Sequence, residues 1–372
     1  MTDRHDMCAV PFIEVFTNSH GGYRNCCAAD PQINSDSGAT VESWWHSEQL
    51  QKFRDQFDQG QLPLDCHTCS LAEKTQGTSF RTAVNKTVDL SNIDHTWPSR
   101  WNINFGNLCN LACWTCDEHN SSVIESHKRK IKILPEHSIS NQVLFDQQWL
   151  DLKKAILNSY QHHQVVTLTV LGGEPLFNNT VLLFLAELVD LGLNKRTKLE
   201  FHTNATNMNT DISNMLSLQQ WNYICIFLSI DAVGVKAEWL RYGCNWNKIE
   251  KNIEIFKKLA NYVEVHCTLS VLNLNDLPAL NQFCKDSDLL LKISPVTSPD
   301  FMSLQCWDSD PADLADRNSL RDHGFENYFD IVGSKIKLGS RSQMADYICQ
   351  FDQIRQPLRK YDDRLADAIG LG

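Results

Sequence analysis

From residue 97 onward, short β-branched and apolar stretches alternate with segments of helical spacing, and this limits the possible folds more than any other feature. Residues 101–105 read as a short strand, 165–171 as a strand rich in valine and threonine, and 180–191 as a helix. Residues 198–202 and 223–230 read as strands, 247–259 as an amphipathic helix, 262–272 as a strand, 277–284 as a helix, and 289–293 as a last strand. About six β/α units imply a parallel sheet with right-handed crossovers. The apolar character of the strands predicts burial on both faces of that sheet. Residues 1–96 differ in texture: they are turn-rich, irregular and carry cysteines, which predicts a small separate N-terminal domain. Residues 97–305 form the alternating core, and the charged stretch 306–372 reads as a helical C-terminal extension.

The chain has 372 residues, of which 42% are hydrophobic, enough for one large core and a small appended domain. A charged fraction of 21% argues against global disorder. The net charge of -11 argues against general nucleic-acid binding, which depends on neutralising phosphates. The one basic run, His127-Lys128-Arg129-Lys130, reads as a solvated helix face. No stretch approaches the roughly 18 apolar residues of a membrane span. The polar start, Met1 to Asp6, does not resemble a signal peptide, so a cytoplasmic location is expected. In that setting 14 cysteines suggest metal or redox chemistry rather than disulfides. Seven fall in two clusters. The other seven (Cys27, Cys225, Cys244, Cys267, Cys284, Cys306 and Cys349) read mostly as small buried hydrophobes.

Parallel α/β folds bind ligands at the C-terminal ends of their strands. The unusual residues of this chain fall there. Cys109, Cys113 and Cys116 follow the first core strand, Gly172-Gly173-Glu174 the second and Thr203-Asn204 the third, while Ser229 and Asp231 end the fourth. The spacing Cys109-x3-Cys113-x2-Cys116 places three thiolates within eight residues. Cluster irons take thiolate ligands, and three cysteines leave one iron of a cubane open, as catalytic metal sites require. A three-cysteine zinc or redox patch is the plainer alternative.

The spacing and its place after the first strand resemble the radical S-adenosylmethionine (SAM) superfamily. The resemblance implies a partial (β/α)6 TIM-like barrel whose [4Fe-4S] cluster, held by Cys109, Cys113 and Cys116, binds SAM at its open iron. Reduction there yields methionine and a 5′-deoxyadenosyl radical that abstracts a substrate hydrogen, with the protein supplying position and water exclusion. Leu171-Gly172-Gly173-Glu174-Pro175 resembles the family's glycine-glycine-glutamate motif, which implies that Gly172, Gly173 and Glu174 approach the SAM amino group. Thr203 and Asn204 match positions that contact the ribose, and Ser229-Ile230-Asp231 resembles a Ser-x-Asp strand end. Ser229 and Arg241 are expected at the SAM carboxylate, for which an arginine fork is suited. Plainer readings are a turn at Thr203-Asn204, a helix cap at Asp231 and an exposed Arg241. One departure concerns the residue before the third cysteine. It is commonly aromatic in that family, and here it is Thr115, with Trp114 one position earlier.

The second group comprises Cys8, Cys26, Cys66 and Cys69, a C-x2-C knuckle with two distant partners that suits zinc or an iron–sulfur cluster. The fragments Cys8-Ala-Val-Pro-Phe, Glu42-Ser-Trp-Trp and Cys66-His-Thr-Cys69, with Gly77 and Arg81 beyond, resemble twitch or SPASM auxiliary-cluster domains, here placed before the core. The resemblance implies that these four cysteines ligate an auxiliary [4Fe-4S] cluster, with Cys27 an ambiguous neighbour and a structural zinc knuckle as alternative. His67 reads as an exposed or outer residue of the knuckle.

The leading expectation is a radical SAM enzyme with a peptide or protein side chain as substrate and a flavodoxin or ferredoxin as reductant. A non-catalytic interaction module on a degenerate barrel, and a SAM-dependent transfer, are the alternatives. Tyr242, Cys244, His202 and His266 lie near strand ends, but nothing in the sequence lifts any of them to a catalytic acid or base.

Overall fold

The computed structural model describes residues 7–18, 22–29, 32–36, 38–134, 141–217, 220–352 and 354–371. The polar start at 1–6 and Gly21 lie outside the described residues. Among the described residues there are ten strands: β1 (Glu14–Thr17), β2 (Tyr23–Arg24), β3 (Arg100–Asn104), β4 (Ala112–Cys113), β5 (Val166–Leu171), β6 (Thr197–Thr203), β7 (Tyr223–Ser229), β8 (Arg241–Tyr242), β9 (Tyr262–Leu269) and β10 (Leu290–Pro295). Eight form one sheet in the order β10-β9-β7-β6-β5-β3-β1-β2. Its six core strands, β3, β5, β6, β7, β9 and β10, are parallel neighbours in chain order, as the β/α alternation predicts. The molecule is an α/β protein with a partial barrel-type parallel sheet.

Both faces carry buried residues, Glu14, Thr167, Thr169, Glu200 and Cys225 among them on the second, but only one face is apolar. One face is apolar and sealed: Trp101, Ile103, Leu168, Leu199, Ile226 and Leu228 are all fully buried. The 22-residue helix Asn141–His162 packs on it, where Trp101 Nε1 donates to Ser159 Oγ at 3.0 Å and Tyr160 shares a hydrogen bond with Thr197. The other face is polar. Arg100 bridges Glu14 (3.2 Å) and Glu200 (3.7 Å), Lys198 pairs with Glu200 (3.0 Å), and His202, Phe227 and His266 stack beside the Glu264 carboxylate. Side chains alternate across a strand with period two, so the Lys-Leu-Glu-Phe-His run of β6 already carries this split.

The first 96 residues do not stand apart from the core. β1 pairs parallel with β3, and β2 adds an antiparallel edge. Short helices at Val41–Trp45, Glu48–Asp58, His67–Gln76 and Phe80–Asn85 complete this region. Trp44 and Trp45 are buried in it, and Arg54 lies over the Trp45 ring at 4.2 Å. The C-terminal stretch is helical as expected, with Arg317–Asp322, Glu326–Asp330, Ser340–Asp352 and Asp363–Ala368. One continuous core runs from Met7 to Ile369. No helix among the described residues is long and apolar enough to cross a membrane.

The basic run forms the last turn of the helix Ser122–Lys130. It is not simply a solvated face. Lys128 pairs with Glu118 at 2.5 Å, Arg129 with Glu125 at 2.6 Å, and the His127 ring packs against Tyr242 and Phe351.

Candidate functional site

The three cysteines of the first cluster lie in the loop that leaves the C-terminal end of β3. The start of the helix Ser122–Lys130 folds back over this loop. Ser121 Oγ caps that helix and donates to Leu111 O (2.6 Å), and Ser122 Oγ bonds Cys109 N (3.2 Å) and Cys109 O (3.1 Å). Asn107 reaches across to Glu118 O and Glu125 Oε2, both at 2.8 Å. On the other side Cys113 pairs with Arg241 in the β4–β8 ribbon, and Trp114 N donates to Leu240 O (3.0 Å). The loop is therefore held in shape by the protein itself.

Burial pushes the Cys109 thiol up to about 12, with Cys113 adding to the shift. Burial also raises Cys116 well above the ordinary thiol range, assisted by Cys113 and Asp117. It raises Cys113 as well, against the opposing charge of Arg241, whose Nη1 lies 3.8 Å from the sulfur. Burial and the neighbouring cysteines disfavour the thiolate forms, so these three thiols are a donor set whose deprotonation a strongly thiophilic, positively charged group would stabilise. An iron–sulfur cluster fits that description, because each thiolate takes its own iron. Among the described residues, no group of three such side chains closes around a single metal ion.

The glycine pair does close-approach work, with a partner other than the expected one. Gly172 and Gly173 both have positive φ, +91° and +52°. A Cβ on Gly173 would lie 2.1 Å from Leu108 O, and one on Gly172 would lie 2.3 Å from Asn104 Oδ1. Glu174 N donates to Leu108 O at 2.9 Å. The glycines thus let the end of β5 press against the backbone one residue before Cys109. The Glu174 side chain is fully buried and engaged: Oε1 accepts from Thr203 Oγ1 (2.7 Å) and Leu176 N (3.1 Å), Oε2 from Asn204 N (2.6 Å). Burial raises its pKa above the usual carboxylate value, with these hydrogen bonds opposing.

Thr203 and Asn204 are likewise knitted into the site. Asn204 Nδ2 donates to Asn110 Oδ1 (3.0 Å), Asn110 Nδ2 to Thr206 Oγ1 (2.8 Å), and Thr206 Oγ1 to Asn204 Oδ1 (2.6 Å). This closed ring ties the cysteine loop to the end of β6. Asp231 caps nothing helical here. It accepts from Thr268 N (2.8 Å) and pairs with Arg241 at 2.9 Å. Arg241 is mostly covered rather than exposed, its side chain 11% accessible; burial works against its charge, and Asp231 and Cys113 hold it above its ordinary value. Its Nε has no hydrogen-bond partner. Ser229 sits half-buried at the end of β7, opposite His266 of β9. Trp114 is a core side chain, packed on Trp239, Tyr347 and Phe351. Asn110, Thr206 and Arg355 are site residues that sequence reading passed over. Only Asn110 had a signal, its place between two cysteines.

Cys8, Cys26, Cys66 and Cys69 come together and line one small pocket, with a cavity of about 10 Å3, together with Arg81 and apolar side chains such as Phe53 and Phe80. Burial and then Cys26 raise the Cys8 thiol well above its ordinary value, and burial pushes Cys66 up to about 12, with Cys26 and Cys69 contributing. Cys26 is lowered, chiefly by its hydrogen bond with Cys27. Cys27 itself is exposed and outside the pocket lining. Arg81 pairs with Glu73, which fixes the helix carrying Cys69 to the helix Phe80–Asn85. Gly77 ends the former helix in a left-handed cap. Of the scattered cysteines, Cys225, Cys267 and Cys284 are buried as expected, whereas Cys349, like Cys27, is exposed.

No family model matches this chain, and no curated protein does. Among solved structures it is similar to native anSMEcpe with bound AdoMet, at 20% identity and TM-score 0.42, over 61% of this chain and 60% of that one. It is also similar to Streptococcus suis SuiB bound to S-adenosylmethionine (16% identity, TM-score 0.41, 88% and 70% of the two chains). A third is SuiB bound to the precursor peptide SuiA (16%, 0.39, 93% and 71%). The chain thus spans about three fifths of the length of anSMEcpe. At such low identity and TM-score the functional argument rests on this chain's own residues.

Proposed function

We propose that this chain is a radical SAM enzyme whose cluster is held by Cys109, Cys113 and Cys116. The observation that carries the reading is the cysteine loop itself: three thiols, that of Cys109 buried and those of Cys113 and Cys116 half-buried, supplied by one preformed loop at the C-terminal end of a parallel sheet. When bound, a [4Fe-4S] cluster with SAM supplies one-electron cleavage to methionine and a 5′-deoxyadenosyl radical. The chain's own contribution is position. Glu174, through Thr203 and Asn204, holds the ends of β5 and β6 in register, and the Asn110–Asn204–Thr206 ring anchors the loop between them. Arg241, fixed by Asp231, sets a positive charge beside Cys113.

The Gly172–Glu174 segment and Arg241 are engaged with protein partners, so in this arrangement they serve the loop. We assign SAM to the space over the strand ends bordered by Thr203, Asn204, Ser229 and Asp231. The polar sheet face below, with His202, Glu264 and His266, suits a substrate rich in hydrogen-bonding groups, such as a peptide or protein segment, while a flavodoxin- or ferredoxin-type donor would reduce the cluster. Cys8, Cys26, Cys66 and Cys69 would hold a second cluster, with zinc as the competing occupant. The test is electron paramagnetic resonance of the dithionite-reduced, iron-reconstituted protein. SAM added to the wild type changes the signal of one cluster, and in Cys113→Ala that response is absent. A wild-type spectrum indifferent to SAM contradicts the assignment.

A further inference from the structure

Arg355, in the C-terminal segment, is 6% exposed, yet its Nε, Nη1 and Nη2 all lack a hydrogen-bond partner. Its guanidinium lies over three rings: Phe351 at 4.3 Å, Trp114 at 4.4 Å and Tyr242 at 5.6 Å. Aromatic faces attract a desolvated cation. That attraction does not offset the cost of taking a cation out of water, and the rings accept none of its in-plane N–H groups. Asp352, the nearby acid of the same segment, does not pair with it, and its Oδ1 is itself unpartnered. Buried charges in folded proteins are paired, and among the described residues no side chain supplies that partner.

Its position indicates what that partner is. Trp114 directly follows Cys113, and Tyr242 directly follows Arg241 in the strand paired with Cys113. Arg355 therefore sits behind the cysteine loop, on the side packed by Trp239, Tyr347 and Phe351. The other guanidinium beside Cys113, that of Arg241, is already paired with Asp231. Of the acidic groups that act on the Arg355 charge, Tyr347, Cys113, Tyr242 and Asp352, Cys113 is the one that belongs to the loop.

We propose that Arg355 donates hydrogen bonds to the sulfur shell of the cluster on Cys109, Cys113 and Cys116, making the C-terminal extension a determinant of that cluster's reduction potential. The proposal rests on the assignment of a cluster to this loop. Hydrogen bonds to cluster sulfurs and nearby positive charge raise the potential. Arg355 is a positioning and tuning residue and touches no substrate.

The experiment is a redox titration of reconstituted wild type, Arg355→Met and Arg355→Lys, followed by electron paramagnetic resonance, with iron content and circular dichroism of each. The expected result is a loop cluster retained in both variants. At a fixed potential its reduced fraction falls about tenfold in Arg355→Met, a shift of about 59 mV to the negative for a one-electron couple. Arg355→Lys, which keeps the charge and loses the fork, falls in between. Full iron with an unmoved potential in Arg355→Met overturns the proposal. So does loss of fold in both variants, which would make the residue structural. A wild type whose iron content is unaffected by Cys113→Ala overturns the underlying cluster assignment instead, and is read separately from the potential.

Discussion

Gly173 shows how one residue supports the whole site. Its φ of +52° is a conformation that costs an L-residue about 1–2 kcal/mol. Its Cβ position is also occupied by Leu108 O. Gly173→Ala is therefore expected to destabilise the protein by at least that amount and to push the backbone before Cys109 out of place. Chemical denaturation and iron per chain check this: stability falls, and iron at the loop falls while auxiliary iron stays. An alanine variant with unchanged stability and iron would show that the close approach is dispensable. The same residue marks what sequence could reveal. The glycine pair and glutamate after a strand were legible as a site, because left-handed backbone and close approach select glycine. Their partner was not, since nothing local encodes that β5 meets Leu108, or that Glu174 is spent on Thr203 and Asn204. Arg355 was illegible for a stronger reason: it lies more than 200 residues from the loop it covers.

At the scale of elements, the six core strands were legible because β-branched runs bounded by turns are a local signal. The split of each sheet face into apolar and polar was missed where strands were read as continuous runs, although Lys198, Glu200 and His202 alternate plainly with Leu199 and Phe201. The helix Asn141–His162 lacked a clean periodic stripe, and β1 and β2 are too short to announce themselves. The N-terminal thiols were legible as a group, and the fold brings all four to one pocket. Their elements are short: a single 3-10 turn carries Cys66 and a ten-residue helix carries Cys69. Short elements around an apolar pocket lined with thiols depend on a bound metal for stability. Cys66→Ala combined with Cys69→Ala should accordingly lower soluble yield and remove about half of the iron, the share of one cubane of two. Wild-type yield and iron in that double variant would refute an iron cluster there, and zinc in the purified wild type would favour the knuckle.

For the whole molecule, the arrangement is one continuous core in which three stretches of chain converge on the cysteine loop. The central sheet provides its platform, the β4–β8 ribbon its clamp, and the C-terminal segment its cover through Trp114, Phe351 and Arg355. The thiols on this loop lie behind hydrogen-bonded walls, a geometry suited to excluding water from a reactive radical. The central claim is that the loop holds the cluster that cleaves SAM, and release of 5′-deoxyadenosine tests it most directly. Protein purified and reconstituted without oxygen is given dithionite and SAM, and the nucleoside is quantified by mass spectrometry. The account predicts 5′-deoxyadenosine and methionine from the wild type and none from Cys113→Ala that still carries its N-terminal iron. A fully iron-loaded wild type that leaves SAM intact would contradict it.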